Sequence, residues 1–376
     1  MAVSTQQNSL QTISCEEPLR EVRIIDQTCL PHQLVYKCLN SLDEACEAIT
    51  SMRVRGAPLI GITAAFGVYL ALRNGDQEWE QACHRLRQTR PTAVNLHWAL
   101  TRVSKHLAGL PAAEREPAAL ALARTLHQED ANSCSRIGDH GLRILQDLWE
   151  EKQRCRTGDA LTSQRLNILT HCNAGWLATA QWGTALAPIY KAHAAGIPVH
   201  VWVDETRPRN QGASLTAWEL GQQGIPHTLI VDNAGGHLMQ HAQVDICLVG
   251  SDRTTAQGDV CNKIGTYLKA LAAWDNQIPF YAALPVSTID FSLMDGVREI
   301  PIEERAAQEV THMTGLNALG EQASVLLTVP GTAVSNFGFD VTPARLLTGL
   351  ITELGVVAAS PQGLAELKVP KAKVEP

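Results

Sequence analysis

The sequence predicts an α/β protein that joins a small, mostly helical N-terminal domain to a C-terminal domain built on a doubly wound parallel sheet. Its 376 residues are too many for one small domain and suit two of ordinary size. Between about residues 40 and 150, apolar side chains recur three and four positions apart, which is typical of amphipathic helices. After residue 165, short β-branched runs alternate with helical patterns, which favours a parallel sheet covered on both faces.

The N-terminal half begins with an arm without a clear pattern, residues 1–20. VRIIDQTCLP at 22–31 predicts a short strand, a polar turn and a stop at its proline. The Gly- and Ala-rich stretch at 54–72 predicts a tight turn that runs into a buried helix. A charged, turn-rich segment at 151–165 places the domain boundary there. We therefore expect an N-terminal domain over 1–150 and a Rossmann-like catalytic domain over 151–376.

Six apolar runs in the C-terminal half predict strands: RLNILTHCN, IPVHVWVDE, PHTLIVDN, VDICLVGSD, IPFYAALPVS and SVLLTV. Right-handed crossovers between them favour a doubly wound, Rossmann-like order. TPARLLTGLITEL at 342–354 predicts a helix, and LAELKVPKAKVEP at 364–376 predicts a loose tail.

Composition excludes several classes of protein. A formal charge of −7 argues against nucleic acid as a main partner, although it leaves room for a small phosphorylated substrate. No apolar run reaches the roughly 18 to 20 residues of a membrane span, and the N-terminus lacks the pattern of a secretory signal. The ten cysteines are scattered without a CxxC pair, which suits reduced thiols. We expect a cytoplasmic protein without a membrane partner.

Motifs for common cofactors are missing. No GxGxxG follows a predicted strand, and no GxxxxGK[ST] or HExxH occurs in the sequence. These absences disfavour dinucleotide, ATP and zinc chemistry and lead us to expect no metal. Acid–base or covalent chemistry by side chains is the class that remains.

The predicted strands end in reactive side chains. Ligands of open parallel sheets bind outside the carboxyl ends of the strands, so these residues predict a site. The five strand ends are His171-Cys172-Asn173, Asp204 to Arg207, Asp232-Asn233, Ser251-Asp252-Arg253 and Pro285 to Ser287. Taken singly, a strand-end Asp more often caps a helix, and a Cys after an apolar strand is more often inert core.

Three cationic positions could hold a phosphate. RGAP at 55–58 places Arg55 beside the start of a predicted helix, where free backbone N–H groups attract anions. GDVCNKIGTY at 258–267 places Asn262 and Lys263 at the predicted start of the next helix. Arg90 lies in RPTAVNL and could equally be a solvated side chain.

At these motifs the chain resembles the methylthioribose-1-phosphate isomerase family, whose superfamily includes initiation-factor 2B regulatory subunits. The resemblance covers nearly the whole chain in the family's order, and the blocks around 170–220 and 250–267 are the most specific. It rests on RGAP, RPTAVNL, THCNAG, DETRPRNQGASLTAWEL, GSDR, GDVCNKIGTY, PVSTID, IEER and FDVTPARLLTGLITELG.

The resemblance implies roles for individual residues. Cys172 corresponds to the family's catalytic cysteine and Asp252 to its proton-donor aspartate. The implied substrate-binding positions are Arg55, Gly56, Ala57, Arg90, Gln211, Asn262 and Lys263. It also implies a homodimer, no dissociable cofactor and a small phosphorylated sugar as substrate, in methionine salvage or in disposal of a related deoxysugar.

The reaction that the resemblance implies is the conversion of 5-methylthioribose 1-phosphate into its ketose isomer. Asp252 would protonate the ring oxygen, kept neutral by apolar surroundings. Cys172 would act on the hydrogen at carbon 2 or support the polarised intermediate, and the hydrogen could move as a proton or as a hydride.

Other functions stay open at this point. The substrate could instead be ribose 1,5-bisphosphate or 5-deoxyribose 1-phosphate, which differ at carbon 5. A non-catalytic regulatory subunit would need neither Cys172 nor Asp252, and a redox-sensing thiol would need a resolving cysteine near Cys172 in sequence.

Overall fold

The computed structural model describes residues 10–16, 20–75, 78–154 and 164–367. Its N-terminal part opens with a three-stranded antiparallel sheet, in which the middle strand pairs with both others. The strands are β1 (Ile13–Glu16), β2 (Glu21–Ile25) and β3 (Tyr36–Leu39). The strand predicted within 22–31 is therefore confirmed. The arm predicted over 1–20 was wrong for residues 13–16, which form β1. Residues 1–9 and 17–19 of the predicted arm lie outside the described residues.

Five helices follow and form the N-terminal core with this sheet. Apolar side chains three and four positions apart line one face of each amphipathic helix, as predicted. The helices are α1 (Leu42–Thr50), α2 (Ala57–Asn74), α3 (Trp79–Thr89), α4 (Val94–Leu107) and α5 (Ala112–Arg154). The second half of α5 leaves this core and contributes Ile137 and Leu145 to the core beneath the C-terminal sheet.

Helix α2 lies at the centre of the N-terminal core. Its Phe66 and Tyr69 are among the largest fully buried side chains of the protein. By length and hydropathy α2 could also span a membrane, although the sequence was expected to contain no such stretch. However, 78% of it is buried against the rest of the protein, which accounts for its apolar composition.

The C-terminal part is built on a seven-stranded sheet with helices on both faces, which confirms the predicted fold class. Its strands are β4 (Leu166–Thr170), β5 (Val199–Asp204), β6 (His227–Ile230), β7 (Ile246–Val249), β10 (Phe280–Ala283), β15 (Gly349–Thr352) and β16 (Gly355–Val357). They are ordered β16-β15-β10-β7-β4-β5-β6, and all neighbours are parallel except β15 and β16. Without β16, this is the 3-2-1-4-5-6 order of doubly wound dinucleotide-binding sheets.

Alternate side chains of the strands point to the two faces of the sheet. On one face, Ile168 and Leu248 pack with α5, α6 (Leu186–Ala194) and α7 (Ala217–Gln222). On the other, Leu169 and Cys247 pack with helices that follow later strands. These are α8 (Ala234–Gln240), α9 (Thr266–Asp275) and α12 (Pro361–Glu366). Because both faces are covered, the inner strands β4, β5, β7 and β10 form nearly continuous apolar runs, which is why the sequence revealed them.

Two smaller sheets lie beyond the carboxyl ends of the central strands. One has the order β11-β8-β9-β14 and the other is a two-stranded hairpin. The first contains β8 (Arg253–Thr255), β9 (Val260–Lys263), β11 (Ile289–Asp290) and β14 (Phe339–Thr342). The hairpin consists of β12 (His312–Leu316) and β13 (Gln322–Leu326), and the short helices nearby are α10 (Gly296–Glu299) and α11 (Gln308–Thr311).

Four predictions for individual segments differ from the structure. SVLLTV lies partly in β13 of the hairpin and not in the parallel sheet. The predicted helix at 342–354 contains β15, because its GLIT run is buried between β10 and β16. Asn262 and Lys263 end strand β9 and do not begin a helix, since α9 starts only after Gly265 at φ +100°. The predicted tail begins inside α12, and residues 368–376 lie outside the described residues.

Candidate active site

The site lies where the sheet changes direction. Strands β4 and β7 are neighbours, but the chain runs from β4 to β5 on one side and from β7 to β10 on the other. The loops after β4 and β7 therefore diverge and leave a crevice, which is where ligands of such sheets bind. Cys172 follows β4 and Asp252 follows β7, so this strand order brings both to one crevice.

A small cavity lies in this crevice, under the start of α2. The structure brings six of the nine predicted site residues into its wall: Arg55, Gly56, Ala57, Cys172, Asp252 and Asn262. Lys263 lies close enough for its charge to act on both Cys172 and Asp252. Gln211 lies in a neighbouring cleft of about 650 Å³ that also contains Arg55.

The turn at Cys172 is held in an uncommon backbone conformation. Cys172 has φ +67°, which a non-glycine residue adopts only when its surroundings hold it. Its N–H donates to Thr206 Oγ1 at 2.9 Å, and its carbonyl accepts from Thr216 Oγ1 at 2.6 Å. Thr206 follows β5 and Thr216 ends the π-helical turn Gly212–Thr216. Two threonine hydroxyl groups from the segment after β5 therefore hold the backbone of Cys172 in this conformation.

The start of α2 approaches this turn closely because of a glycine. Gly56 has φ +97°, and a Cβ there would lie 2.5 Å from the backbone of Ala178. Arg55 reaches across the gap. Its Nη1 donates to Asn173 Oδ1 at 2.5 Å and its Nη2 to the Asn173 carbonyl at 2.9 Å. Both acceptors are neutral oxygens of Asn173. These two hydrogen bonds therefore hold the guanidinium in place without neutralising its positive charge, as an ion pair with a carboxylate would.

Burial shifts the protonation of the ionisable groups here. It raises the pKa of Asp252, while the charges of Lys263, Arg55 and Arg90 oppose that shift. Burial also raises the pKa of the Cys172 thiol, while the positive charges of Arg55 and Lys263 lower it. For Lys263 burial lowers the pKa, and the nearby Cys172 and Asp252 oppose it. The cavity therefore favours the neutral carboxyl and the neutral thiol, beside cations that could bind an anion.

Arg90 is supported by an ion-pair network from a distant part of the chain. Its Nη2 donates to Glu303 Oε2 at 2.7 Å, and Arg305 Nη1 donates to the other Glu303 oxygen at 2.6 Å. Burial alone would raise the pKa of Glu303, but the charge and hydrogen bond of Arg90, reinforced by Arg305, lower it. Glu303 therefore stays ionised and holds Arg90 beside the cavity.

Several residues of the site were not among the predicted ones. His171 lines the cavity, but its Nδ1 lies 2.9 Å from Asp204 Oδ2 and its Nε2 lies 2.8 Å from the Ile264 carbonyl. Both nitrogens face acceptors, so it has no free nitrogen to act as a base. Asn173, which the sequence indicated only as a residue at a strand end, accepts a hydrogen bond from Arg55. Glu303 lies in the IEER motif at 302–305, one of the blocks on which the family resemblance rests. No local sequence pattern indicated that it pairs with Arg90.

One cluster has the residue types of a metal site. The ligand atoms of His171, Asp204 and Asp232 lie within 4.8 Å of one another. A positive charge is already there, because Lys269 Nζ lies 3.3 Å from Asp204 Oδ2 and also donates to the Asp232 carbonyl. Asp204 is fully buried, and among the described residues Lys269 and His171 both contact its Oδ2.

Comparison with known proteins decides the family. The model of the initiation factor 2 subunit family matches residues 53–359. A methylthioribose-1-phosphate isomerase of Methylorubrum populi is 60% identical over 95% of this chain and 96% of its own. The chain belongs to the methylthioribose-1-phosphate isomerase family. Another isomerase of this name, from Rhodospirillum rubrum, is 59% identical over 93% of this chain and 90% of its own.

Solved structures agree with this family assignment. The 5-methylthioribose 1-phosphate isomerase of Pyrococcus horikoshii has a TM-score of 0.80, with 38% identity over 96% of both chains. The initiation factor eIF-2B delta subunit of A. fulgidus has a TM-score of 0.71, with 35% identity over 93% of this chain and 96% of its own. The isomerase family thus shares its fold with a protein named for translation initiation.

The environment of Cys172 predicts slow alkylation. Its thiol is buried and its pKa is raised by burial, whereas Cys38 is exposed. At pH 7.5 we expect iodoacetamide to modify Cys38 well before Cys172. Mass spectrometry of tryptic peptides taken at successive times measures the two rates. Unfolding in urea should make the two rates similar. Modification of Cys172 in the folded protein as fast as that of Cys38 would contradict a buried, neutral thiol.

Proposed function

We propose that this chain is an aldose–ketose isomerase that converts 5-methylthioribose 1-phosphate into 5-methylthioribulose 1-phosphate in methionine salvage. One observation carries the proposal: Cys172 and Asp252 line a single small cavity together with Arg55, in a chain about 60% identical to isomerases of that name. The roles below are proposed for the residues that line or adjoin this cavity.

Asp252 is the general acid of the proposed reaction. The phosphate on the anomeric oxygen prevents the ring from opening as a free sugar does, so the ring oxygen must be protonated as its bond to carbon 1 breaks. A carboxyl can donate that proton only if it is neutral, and burial raises the pKa of Asp252. After the transfer, Lys263 and Arg55 stabilise the carboxylate that forms, because both lie within range of its charge.

Cys172 acts on the opened sugar. Hydrogen must move from carbon 2 to carbon 1, and the thiol lies in the same cavity wall as Asp252. With its thiol neutral, Cys172 supports the polarised intermediate while the hydrogen moves from carbon 2 to carbon 1 as a hydride, and the proton of the carbon 2 hydroxyl passes to the Asp252 carboxylate. To carry the hydrogen as a proton instead, the thiol would first have to give up its own proton. The fixed turn at Cys172 limits the positions that the sulfur can take, which favours a defined geometry with the substrate.

The phosphate is bound by the start of α2 and the cations around it. Arg55 keeps its charge, and Gly56 lets the helix start come close to the cavity. Asn262 lines the same wall, Lys263 is adjacent, and Arg90 is held by Glu303. Gln211 reaches the substrate from the cleft that it shares with Arg55.

The methylthio group lies in that cleft. Its wall contains apolar side chains, among which are Leu30, Met52, Leu215 and Met313. The wall also contains Arg209, which is already paired with Glu309 at 2.9 Å. Apolar side chains beside a paired arginine favour a thioether over a second phosphate, which would require unpaired cations at carbon 5. This supports the methylthio sugar over ribose 1,5-bisphosphate.

We further propose a cytoplasmic homodimer of subunits divided at about residue 150, with no nucleic-acid, membrane or cofactor requirement. Large exposed apolar side chains concentrate on the β12–β13 hairpin and the segment after it: Leu316, Leu319, Val325, Leu326, Leu327 and Val329. Monomeric proteins rarely expose an apolar patch of this kind, so we expect a second copy of the chain to cover it.

The proposed chemistry predicts loss of turnover in two variants. Purified protein should convert 5-methylthioribose 1-phosphate into the ketose without added cofactor. Proton NMR measures this conversion. Cys172→Ser and Asp252→Asn should each lower kcat by at least about 100-fold, because each removes a positioned acid or hydrogen-transfer group. Asp245→Asn is the matched control, since Asp245 bonds Asn167 N and Lys152 away from the cavity and should keep nearly full activity.

Other outcomes of this assay separate the alternatives. Turnover of ribose 1,5-bisphosphate or 5-deoxyribose 1-phosphate, but not of the methylthio sugar, would reassign the group at carbon 5. No turnover of any of the three by folded protein would contradict an isomerase and favour a non-catalytic binding subunit.

The proposed acid also predicts the direction of the pH dependence. Because Asp252 must carry its proton, kcat/KM should fall as pH rises through the pKa of Asp252, which burial raises. The positive charge of Lys263 lowers that pKa, so Lys263→Met should move the fall to higher pH. Titration of the substrate phosphate affects both enzymes equally. A shift to lower pH in the variant would contradict Asp252 as the acid.

A further inference from the structure

Glu219 is a fully buried carboxylate next to the site but outside the cavity wall. It lies in α7 and accepts four hydrogen bonds from neutral donors. Its Oε1 accepts from Asn173 Nδ2 at 2.8 Å and from Leu177 N at 3.0 Å. Its Oε2 accepts from Trp176 N at 2.8 Å and from the Tyr190 hydroxyl at 2.6 Å. Within the described parts of the chain it forms no ion pair with Lys or Arg.

A carboxylate in such a place requires a reason, because burying a charge without a counter-charge is costly. Burial raises the pKa of Glu219, while its hydrogen bonds to Tyr190, Asn173 and the two backbone N–H groups oppose that shift. All four donors come from outside α7, and two of them begin the 3-10 turn Trp176–Ala178. Glu219 therefore organises the segment that follows Cys172.

The bond to Asn173 determines which way that amide faces. Its Nδ2 donates to Glu219 and also to Thr216 Oγ1 at 3.2 Å, so its Oδ1 must face the other way. There it accepts from Arg55 Nη1. A reversed amide would turn two donors toward the guanidinium and break the contact. The orientation of Arg55 is thus linked to Glu219 through a single side chain.

We propose that Glu219 is a positioning residue, which acts through Asn173 to hold Arg55 with its charge free for the phosphate of the substrate. The proposal rests on the proposed function only for the identity of that substrate, since binding of a phosphate group by Arg55 can be measured without turnover.

The test is a double-mutant cycle that uses inorganic phosphate as the ligand. Glu219→Gln replaces the charged acceptor with an amide that cannot accept at its nitrogen, which weakens the bond to Asn173. Arg55→Lys keeps a positive charge but cannot make the paired contact with Asn173. Calorimetry on folded, full-length protein should show that Glu219→Gln weakens phosphate binding about tenfold when Arg55 is present, and less than about twofold in the Arg55→Lys background.

Turnover and controls complete the design. With the sugar phosphate, Glu219→Gln should raise KM about tenfold and leave kcat within about twofold, because it disturbs binding more than the reacting groups. Asp245→Asn should leave phosphate affinity unchanged. If Glu219→Gln does not fold, Glu219→Asp, which keeps the charge but shortens its reach, is expected to give the same loss only when Arg55 is present.

Three results would overturn the proposal: no loss of affinity in a folded Glu219 variant, an equal loss in both Arg55 backgrounds, or a wild-type protein that does not bind phosphate. A wild type that binds phosphate with this coupling but isomerises none of the sugar phosphates would instead reject the proposed function and keep the role of Glu219.

Discussion

The site depends on the exclusion of water from a small group of ionisable side chains. Cys172 and Lys263 are buried, Asp252 is half-buried beside them, and the surrounding protein disfavours the charged form of each. Their mutual charges and those of Arg55 and Arg90 act in the opposite direction. In the proposed reaction, proton transfer inside this cavity changes interactions that water screens only weakly. The raised pKa of Asp252 favours the protonated carboxyl, and its cationic neighbours stabilise the carboxylate that forms when it gives up the proton.

This exclusion of water follows from the fold. The strand order places the ends of β4 and β7 side by side, and the N-terminal helices cover the crevice with the start of α2. Gly56 allows that approach, while Thr206 and Thr216 hold the left-handed turn of Cys172. A long-range contact also contributes, because Glu303 holds Arg90 beside the cavity although the two are 213 residues apart in sequence.

Much of this could be predicted from the sequence, and the failures have physical reasons. Five of the six predicted strands belong to the central sheet. Four of them are apolar runs buried on both faces, and the fifth, β6, is a half-exposed strand at the edge. SVLLTV has the same composition but lies in an exposed hairpin, so its pattern was misleading. Cys172 and Asp252 were indicated as strand ends, whereas the importance of Asn173 and Glu219 depends on partners 46 to 118 residues from Asn173, which no local pattern encodes.

The most direct test of this account is the protonation of Asp252 in the resting protein. An infrared difference spectrum of wild type minus Asp252→Asn at pH 7 isolates this carboxyl, because the other buried acids, such as Glu219, are common to both proteins. If Asp252 is protonated, the wild type should show a carbonyl stretching band of a carboxylic acid that the variant lacks. A carboxylate band in its place would show that the cavity does not keep Asp252 neutral and would contradict its role as the acid.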